Sequence, residues 1–267
     1  MSLEGKHALV TGSSRGIGSG IALKLAEKGV KVAVNYLQNE AAARDTLAQL
    51  RERGSDGFII QADVRHPQDI TRMFNRVQAE FGTLDIFVTN ARGEAPTFYQ
   101  PPMDITLDSW NNAFDSQARA FHLGIREAIH PMPDGGRIIA ITYAPSARLG
   151  SWQPWIAMGS AKAALESLVR YWAVALAKRG ITVNAVSPGA TEDSVLSRLP
   201  EEVWKSIKNW HESGWTPMGR MGTPADVGNA VVLLCMEEAS FITGQTIHVD
   251  GGASIMDPVF PLEIQRG

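Results

Sequence analysis

The chain has 267 residues, 44% of them hydrophobic, with 25 basic against 28 acidic residues and a formal net charge of -3. That apolar content can bury one large core, and no Pro/Gly/Ser-rich linker divides it, so a single domain is expected. With no basic block and no apolar run near the roughly 20 residues of a membrane span, nucleic acid and membrane are excluded as partners, leaving a cytoplasmic protein that handles a small molecule.

The lone cysteine, Cys235, excludes an internal disulfide and, set in the apolar run 231–236, reads as a small buried hydrophobe. In chain order, short apolar, β-branched runs predict strands over residues 7–10, 31–35, 58–61, 86–89, 138–141, 182–186 and 246–249. Stretches of helical period follow at 17–28, 40–53 and 68–81, with longer ones around 110–129 and 160–179. Strands this apolar, each followed by a helix, are expected to be buried on both faces of a parallel sheet with right-handed crossovers. The predicted fold class is α/β, a doubly wound parallel sheet of about seven strands. The two long helices carry apolar residues on more than one face, which points to a homo-oligomer.

The run Thr11-Gly12-Ser13-Ser14-Arg15-Gly16-Ile17-Gly18 leaves the first strand and opens the first helix, the context in which a glycine pattern becomes specific. Gly12, Gly16 and Gly18, with Ser14 among them, let backbone approach a pyrophosphate, and the N–H groups and positive helix end at Ile17 stabilise its charge. At the end of the second strand, the position that carries an acidic residue in NAD sites is Asn35, followed by Tyr36. No carboxylate repels a 2′-phosphate there, and Arg15 can pair with one bidentately, so NADP(H) is favoured over NAD(H). Asp63-Val64, after the third strand, suits an adenine amino group and its apolar face.

With Val183-Asn184-Ala185-Val186-Ser187-Pro188-Gly189 and Ile242-Thr243-Gly244-Gln245-Thr246-Ile247-His248-Val249-Asp250-Gly251-Gly252, these residues resemble the short-chain dehydrogenase/reductase family over nearly the whole chain. The resemblance implies one Rossmann-like domain over 1–267, usually a tetramer or dimer, that moves hydride between NAD(P) and a carbonyl, alcohol or activated alkene. It implies cofactor contacts from Asn90 and Ala91, where the family's Asn-Ala-Gly reads Asn90-Ala91-Arg92 with Gly93 displaced by one. The family's water-holding asparagine falls at Gln117. Its serine aligns with Tyr143, although Ser146 lies closer to the usual distance from the catalytic helix, and either can polarise a carbonyl. Pro188-Gly189 and Thr191 resemble the segment that contacts the carboxamide.

The catalytic helix departs from the family. Trp155-Ile156-Ala157-Met158-Gly159-Ser160-Ala161-Lys162 resembles the enoyl-thioester reductase form, in which tyrosine precedes lysine by seven and methionine by four, but the tyrosine is Trp155. In the ordinary form the tyrosine is Met158, so both registers lose the phenol; an indole N–H donates a hydrogen bond without transferring a proton, and a thioether does neither. Lys162 keeps a cofactor role, bonding the nicotinamide ribose, and can depress a nearby phenol's pKa if Tyr143 supplies one.

Residues of about 191–222 occupy the family's substrate lid and hold Trp204, Trp210 and Trp215, joined by Trp152 and Trp155 from the catalytic loop. This cluster predicts a roomy apolar pocket for a large or aromatic substrate. His211 and Tyr99 are spare acids, and residues 263–267 extend past the last strand toward the lid or a neighbouring subunit. Three readings stay open. The first is an NADPH-dependent reductase with a relocated acid, acting on a carbonyl or conjugated alkene of a polycyclic or thioester-linked substrate. The second is a non-redox cyclase, isomerase or lyase that works by proximity. The third is a catalytically silent partner of an active homologue.

Overall fold

The computed structural model describes residues 3–93, 100–143, 153–194, 196, 199–257, 259 and 261–265. Tyr99, Ser146 and Trp152, singled out above, lie outside the described residues, as do the last two positions of the chain.

Seven strands pair in parallel into one sheet of order β3-β2-β1-β4-β5-β6-β7. They are β1 (His7–Val10), β2 (Lys31–Tyr36), β3 (Gly57–Gln61), β4 (Ile86–Thr89), β5 (Arg137–Ile141), β6 (Thr182–Pro188) and β7 (Thr246–Val249). Because side chains alternate along a strand, Leu9 and Phe87 face one side while Val10 and Val88 face the other, and each side builds its own core. On the first lie Phe74 of α3 (Pro67–Phe81), Phe121 of α5 (Ala120–Ala128) and Leu165 of α6 (Ile156–Leu176). The second takes Ile21 of α1 (Gly16–Ala26), Leu50 of α2 (Glu40–Glu52) and Val231 of α8 (Pro224–Cys235). α4 (Leu107–Phe114) packs against α6, and α7 (Glu201–Trp210) lies above the sheet's carboxyl edge.

Local chemistry sets the helix starts. Pro67 sits in the first turn of α3, Asn39 and Thr106 cap α2 and α4, and Thr223 and Asp226 form a reciprocal capping box on α8. Cys235 is buried in the second core, and that burial pushes its thiol up to about 12. Among the described residues no helix is long and apolar enough to cross a membrane.

The structure departs from the sequence reading in two places. The expectation of strands buried on both faces holds for the inner strands but not for the edges: β3 is half-buried and β7 partly exposed, since each has a single sheet neighbour and less helical cover. The helix expected over 110–129 is interrupted, because the backbone widens into a π turn at Asp115–Arg119 between α4 and α5. On the outer face of α6, Tyr171 and Val174 are 75% and 80% exposed.

Candidate functional site

Winding runs from β1 toward β3 on one side and from β4 toward β7 on the other, so a crevice opens at the carboxyl ends of β1 and β4. A cavity of about 1380 Å³ lies there, lined by residues that follow all seven strands. Drug-sized sites occupy about 300–1,000 Å³. This one has room for a dinucleotide with a second molecule beside it.

Every residue expected to hold the cofactor lines this cavity: Gly12, Ser14, Arg15, Gly16, Ile17 and Gly18 of the turn, Asn35, Tyr36, Asp63, Val64, Asn90 and Ala91 along the strand ends, and Lys162, Pro188, Gly189 and Thr191 opposite. The turn is stapled to both neighbours of β1. The Asn35 amide oxygen accepts from Gly12 N–H at 2.9 Å, and the Asn90 amide nitrogen donates to the carbonyls of Thr11 and Gly12 at 3.0 Å each. Gly12 and Gly16 have φ of 62° and 58°, and a Cβ on Gly18 would sit 2.4 Å from the Gly12 carbonyl oxygen, so a larger residue at Gly18 meets backbone that cannot give way. The first turn of α1 carries no acidic residue, and its cap residue Arg15 makes no side-chain bond to it. These features fit a pyrophosphate at the helix start.

Two cofactor expectations change in their detail. Asn35 does not offer its side chain to a ribose: it is 2% exposed, and its amide nitrogen donates inward to the carbonyls of Tyr36, Ile60 and Ala62 at 3.2–3.4 Å. The residues lining the cavity beyond it are Tyr36, Leu37, Gln38 and Asn39, none a carboxylate. Asp63 is already clasped by Arg65, whose Nε and Nη2 lie 2.9 and 2.6 Å from its two oxygens. Burial pushes this carboxyl up, but the Arg65 hydrogen bonds outweigh burial and hold it below the usual range. Arg65, which sequence reasoning missed, itself lines the cavity.

Of the residues with expected catalytic roles, Tyr143, Trp155, Met158 and Lys162 line the cavity and Gln117 does not. The π turn places Ser116 on the cavity, while Gln117, 2% exposed, donates to the Ala91 carbonyl and the Ser116 hydroxyl at 3.2 Å each. Gln117 is thus a brace beneath the turn after β4. Tyr143 packs near Trp155, with ring centroids 6.3 Å apart, in a cluster with Met158 and Ala161. Burial pushes its phenol up, so the expected depression of this group by Lys162 is not found, and Tyr143 stays protonated at neutral pH as a hydrogen-bond donor.

Lys162 is buried and donates to the Ile141 carbonyl at 2.5 Å. Burial, reinforced by the positive charge of Arg92 and opposed by Glu166, brings its pKa down to about 7. Glu166, one helical turn on, is buried and accepts from the Thr142 hydroxyl at 2.7 Å, tying α6 to the end of β5. Sequence reasoning passed over it, although its spacing of four from Lys162 puts both on one helix face.

Above the cleft, Val203, Ile207, Trp210 and His211 reach the cavity from α7 and the turn after it. The expected ring of tryptophans is thinner than read. Trp215 stacks flat on Trp210 at 5.1 Å rather than lining the cavity, and Trp204 lies on α7 away from it. His211 Nδ1 lies 2.6 Å from the Thr216 hydroxyl, and burial lowers its pKa, which keeps it neutral. The tail helix Leu262–Gln265 bonds back to Asp257 through Gln265.

The family model described as Enoyl-(Acyl carrier protein) reductase matches residues 12–254. A 1-cyclohexenylcarbonyl-CoA reductase of Streptomyces collinus is 37% identical over 257 residues, which cover 95% of this chain and 88% of that protein. Versicolorin reductase stcU of Emericella nidulans is 34% identical, covering 94% of this chain and 96% of its own. Among solved structures, the angucycline C-6 ketoreductase LanV with bound NADP superposes with a TM-score of 0.86 at 32% identity, covering 96% of this chain and 98% of its own.

Two outcomes test the site's construction. Asn35→Asp sets a carboxylate against three carbonyl oxygens; it is expected to destabilise the fold by at least about 2 kcal/mol in urea unfolding without creating NADH preference. Because Lys162 holds its proton less tightly folded than unfolded, the folded chain binds fewer protons between about pH 7 and 10.5, and stability rises with pH there. Measured against Lys162→Met, wild-type unfolding free energy is expected to gain up to about 1.4 kcal/mol per pH unit across that window, whereas parallel curves contradict the buried lysine.

Proposed function

The chain belongs to the short-chain dehydrogenase/reductase family, and from that membership we propose that it is an NADP(H)-dependent oxidoreductase reducing a conjugated alkene or carbonyl of a large apolar, polyketide-type or thioester-linked substrate. The observation that carries this reading is the stapled glycine turn opening on a cavity too large for the cofactor's pyrophosphate alone, with Lys162 and Tyr143 across it. The tail of exposed apolar residues on α6 supports a homo-oligomer, dimer or tetramer, in the same reading.

Bound NADPH supplies hydride from its nicotinamide ring. The residues that would hold it are Gly12 to Gly18 at the pyrophosphate, Arg15 at the 2′-phosphate, and Lys162, Pro188, Gly189 and Thr191 toward the nicotinamide. Neither Trp155 nor Met158 transfers a proton, and this loss favours conjugate reduction. When hydride adds at the β carbon of a conjugated carbonyl, the double-bond electrons move to the acyl oxygen, and the α proton arrives afterwards from water. The protein then has to stabilise an oxyanion rather than deliver a proton in the same step. The Lys162 ammonium and the Tyr143 hydroxyl are donors suited to that task, and Val203, Ile207 and Trp210 cover the apolar body of the substrate.

Titration with NADPH and NADH, read by energy transfer from tryptophan to the nicotinamide, tests the reading. Saturable binding is expected, tighter for NADPH, and Arg15→Glu is expected to cut that preference by about tenfold or more. Binding of neither nucleotide would remove the redox reading.

A further inference from the structure

Beyond the glycine turn the cavity reaches the residues that follow β3, Ala62, Asp63, Val64 and Arg65. Asp63 is 8% exposed, and Arg65 takes up both of its carboxylate oxygens. Oδ1 accepts from the Arg65 backbone N–H and from Nε at 2.9 Å each, while Oδ2 accepts from Nε at 3.1 Å and from Nη2 at 2.6 Å. The His66 ring nitrogen Nε2 lies 3.6 Å from Oδ2. Arg65 is itself fixed at two other points. Its Nη1 donates to the Asn112 amide oxygen of α4 at 3.1 Å, and its carbonyl accepts from Arg119 Nη2 at 2.6 Å, with Arg119 paired to Asp115 across the π turn. Asp63 is pinned as well, since its own N–H donates to Asp69 in the first turn of α3 at 3.0 Å.

The direction of these hydrogen bonds bears on a purine. The exocyclic amino group of adenine is a donor and needs an acceptor, which a bare carboxylate supplies. A carboxylate has about four lone-pair positions, and the bonds from Arg65 occupy them. A guanidinium carries only donors, so the Asp63–Arg65 pair meets an amino group with like groups rather than with an acceptor. Opening the clasp separates a charge-assisted bidentate pair and breaks the Asn112 bond, which offsets what the amino group would gain.

We propose that Arg65 sets base specificity in the dinucleotide site: by holding Asp63 closed it removes recognition of the purine's 6-amino group. The base is held instead by its flat faces, against the apolar Val64 and the planar guanidinium. Both contacts are indifferent to the substituent at C6. The proposal rests on the cavity being an NADP(H) site, and deepens that reading to a site that takes the cofactor through its phosphates while tolerating other purines.

The test is a titration of the full chain with NADPH and with the analogue that carries hydrogen in place of the 6-amino group and keeps every ring nitrogen. Binding is read by energy transfer from tryptophan to the reduced nicotinamide. Wild type is expected to bind the two within about twofold, whereas a carboxylate free to accept from the amino group would favour NADPH about tenfold. Arg65→Met opens Asp63 and is expected to raise the ratio to about that value, whatever happens to the overall affinity. Arg65→Lys keeps a cation beside Asp63, so the fold is not put at risk; its single ammonium does not cover both oxygens and is expected to give a preference of at least about threefold. A wild-type preference for NADPH of about fivefold or more overturns the proposal, since Arg65 then yields to the base. So does a ratio that stays near one in both variants, which places the base away from Asp63. Saturation by neither nucleotide overturns the NADP(H) reading and the proposal with it, a result distinct from saturable binding with the wrong ratio.

Discussion

A glycine turn that offers its backbone to a phosphate has to be held in place by something other than that backbone. Here the holding is done by two side-chain amides, Asn35 from β2 and Asn90 from the end of β4, the two strands that flank β1. Each of these bonds contributes on the order of 1 kcal/mol net, but together they fix the path of the chain from β1 into α1 against both neighbours. Gly18 packs so closely on the Gly12 carbonyl and the Asn90 amide that no Cβ fits, which seats the start of α1 directly over the staple. The position of the cavity, the direction of the helix start and the reach of Arg15 all follow from this arrangement.

The other side of the cleft depends on burial. α6 buries Lys162, and its carbonyl partner Ile141 and the charge of Glu166 offset only part of the desolvation. The same burial raises the Tyr143 phenol and keeps it neutral. A family member with a tyrosine on this helix has an acid whose proton the lysine helps to release. In this chain the two groups are shifted in opposite directions: the phenol is held neutral as a hydrogen-bond donor, while the lysine, its pKa brought down to about 7, carries its positive charge only below neutral pH.

Much of the fold was legible in the sequence because its signals are local. Runs such as His7–Val10 and Ile86–Thr89 are apolar and short, and they fold as read. The glycine spacing placed the turn correctly because three glycines between a strand and a helix have few other uses. What was not legible depends on which way a side chain turns. Asn35 faces inward to carbonyls of β2 and the strand beyond it, a partner choice that only sheet pairing creates. Gln117 and Ser116 exchange places because a π turn adds a residue that helical periodicity does not reveal. Arg65 closes on Asp63 from two residues away, a contact that any loop arginine can make and few do. Trp215 was expected in the pocket, and instead supports Trp210 from behind.

The central claim is that this chain, with NADPH as the hydride source, would reduce a conjugated carbon without help from a phenol on α6. Its most direct test is turnover of a conjugated enoyl thioester in ordinary water with NADPH deuterated at the transferable position of C4, each face in turn, followed by mass spectrometry of the product. The account predicts one deuterium at the β carbon from one face only, with an unlabelled α position. A product formed without deuterium from either face, or formed equally well with no nucleotide present, would contradict it.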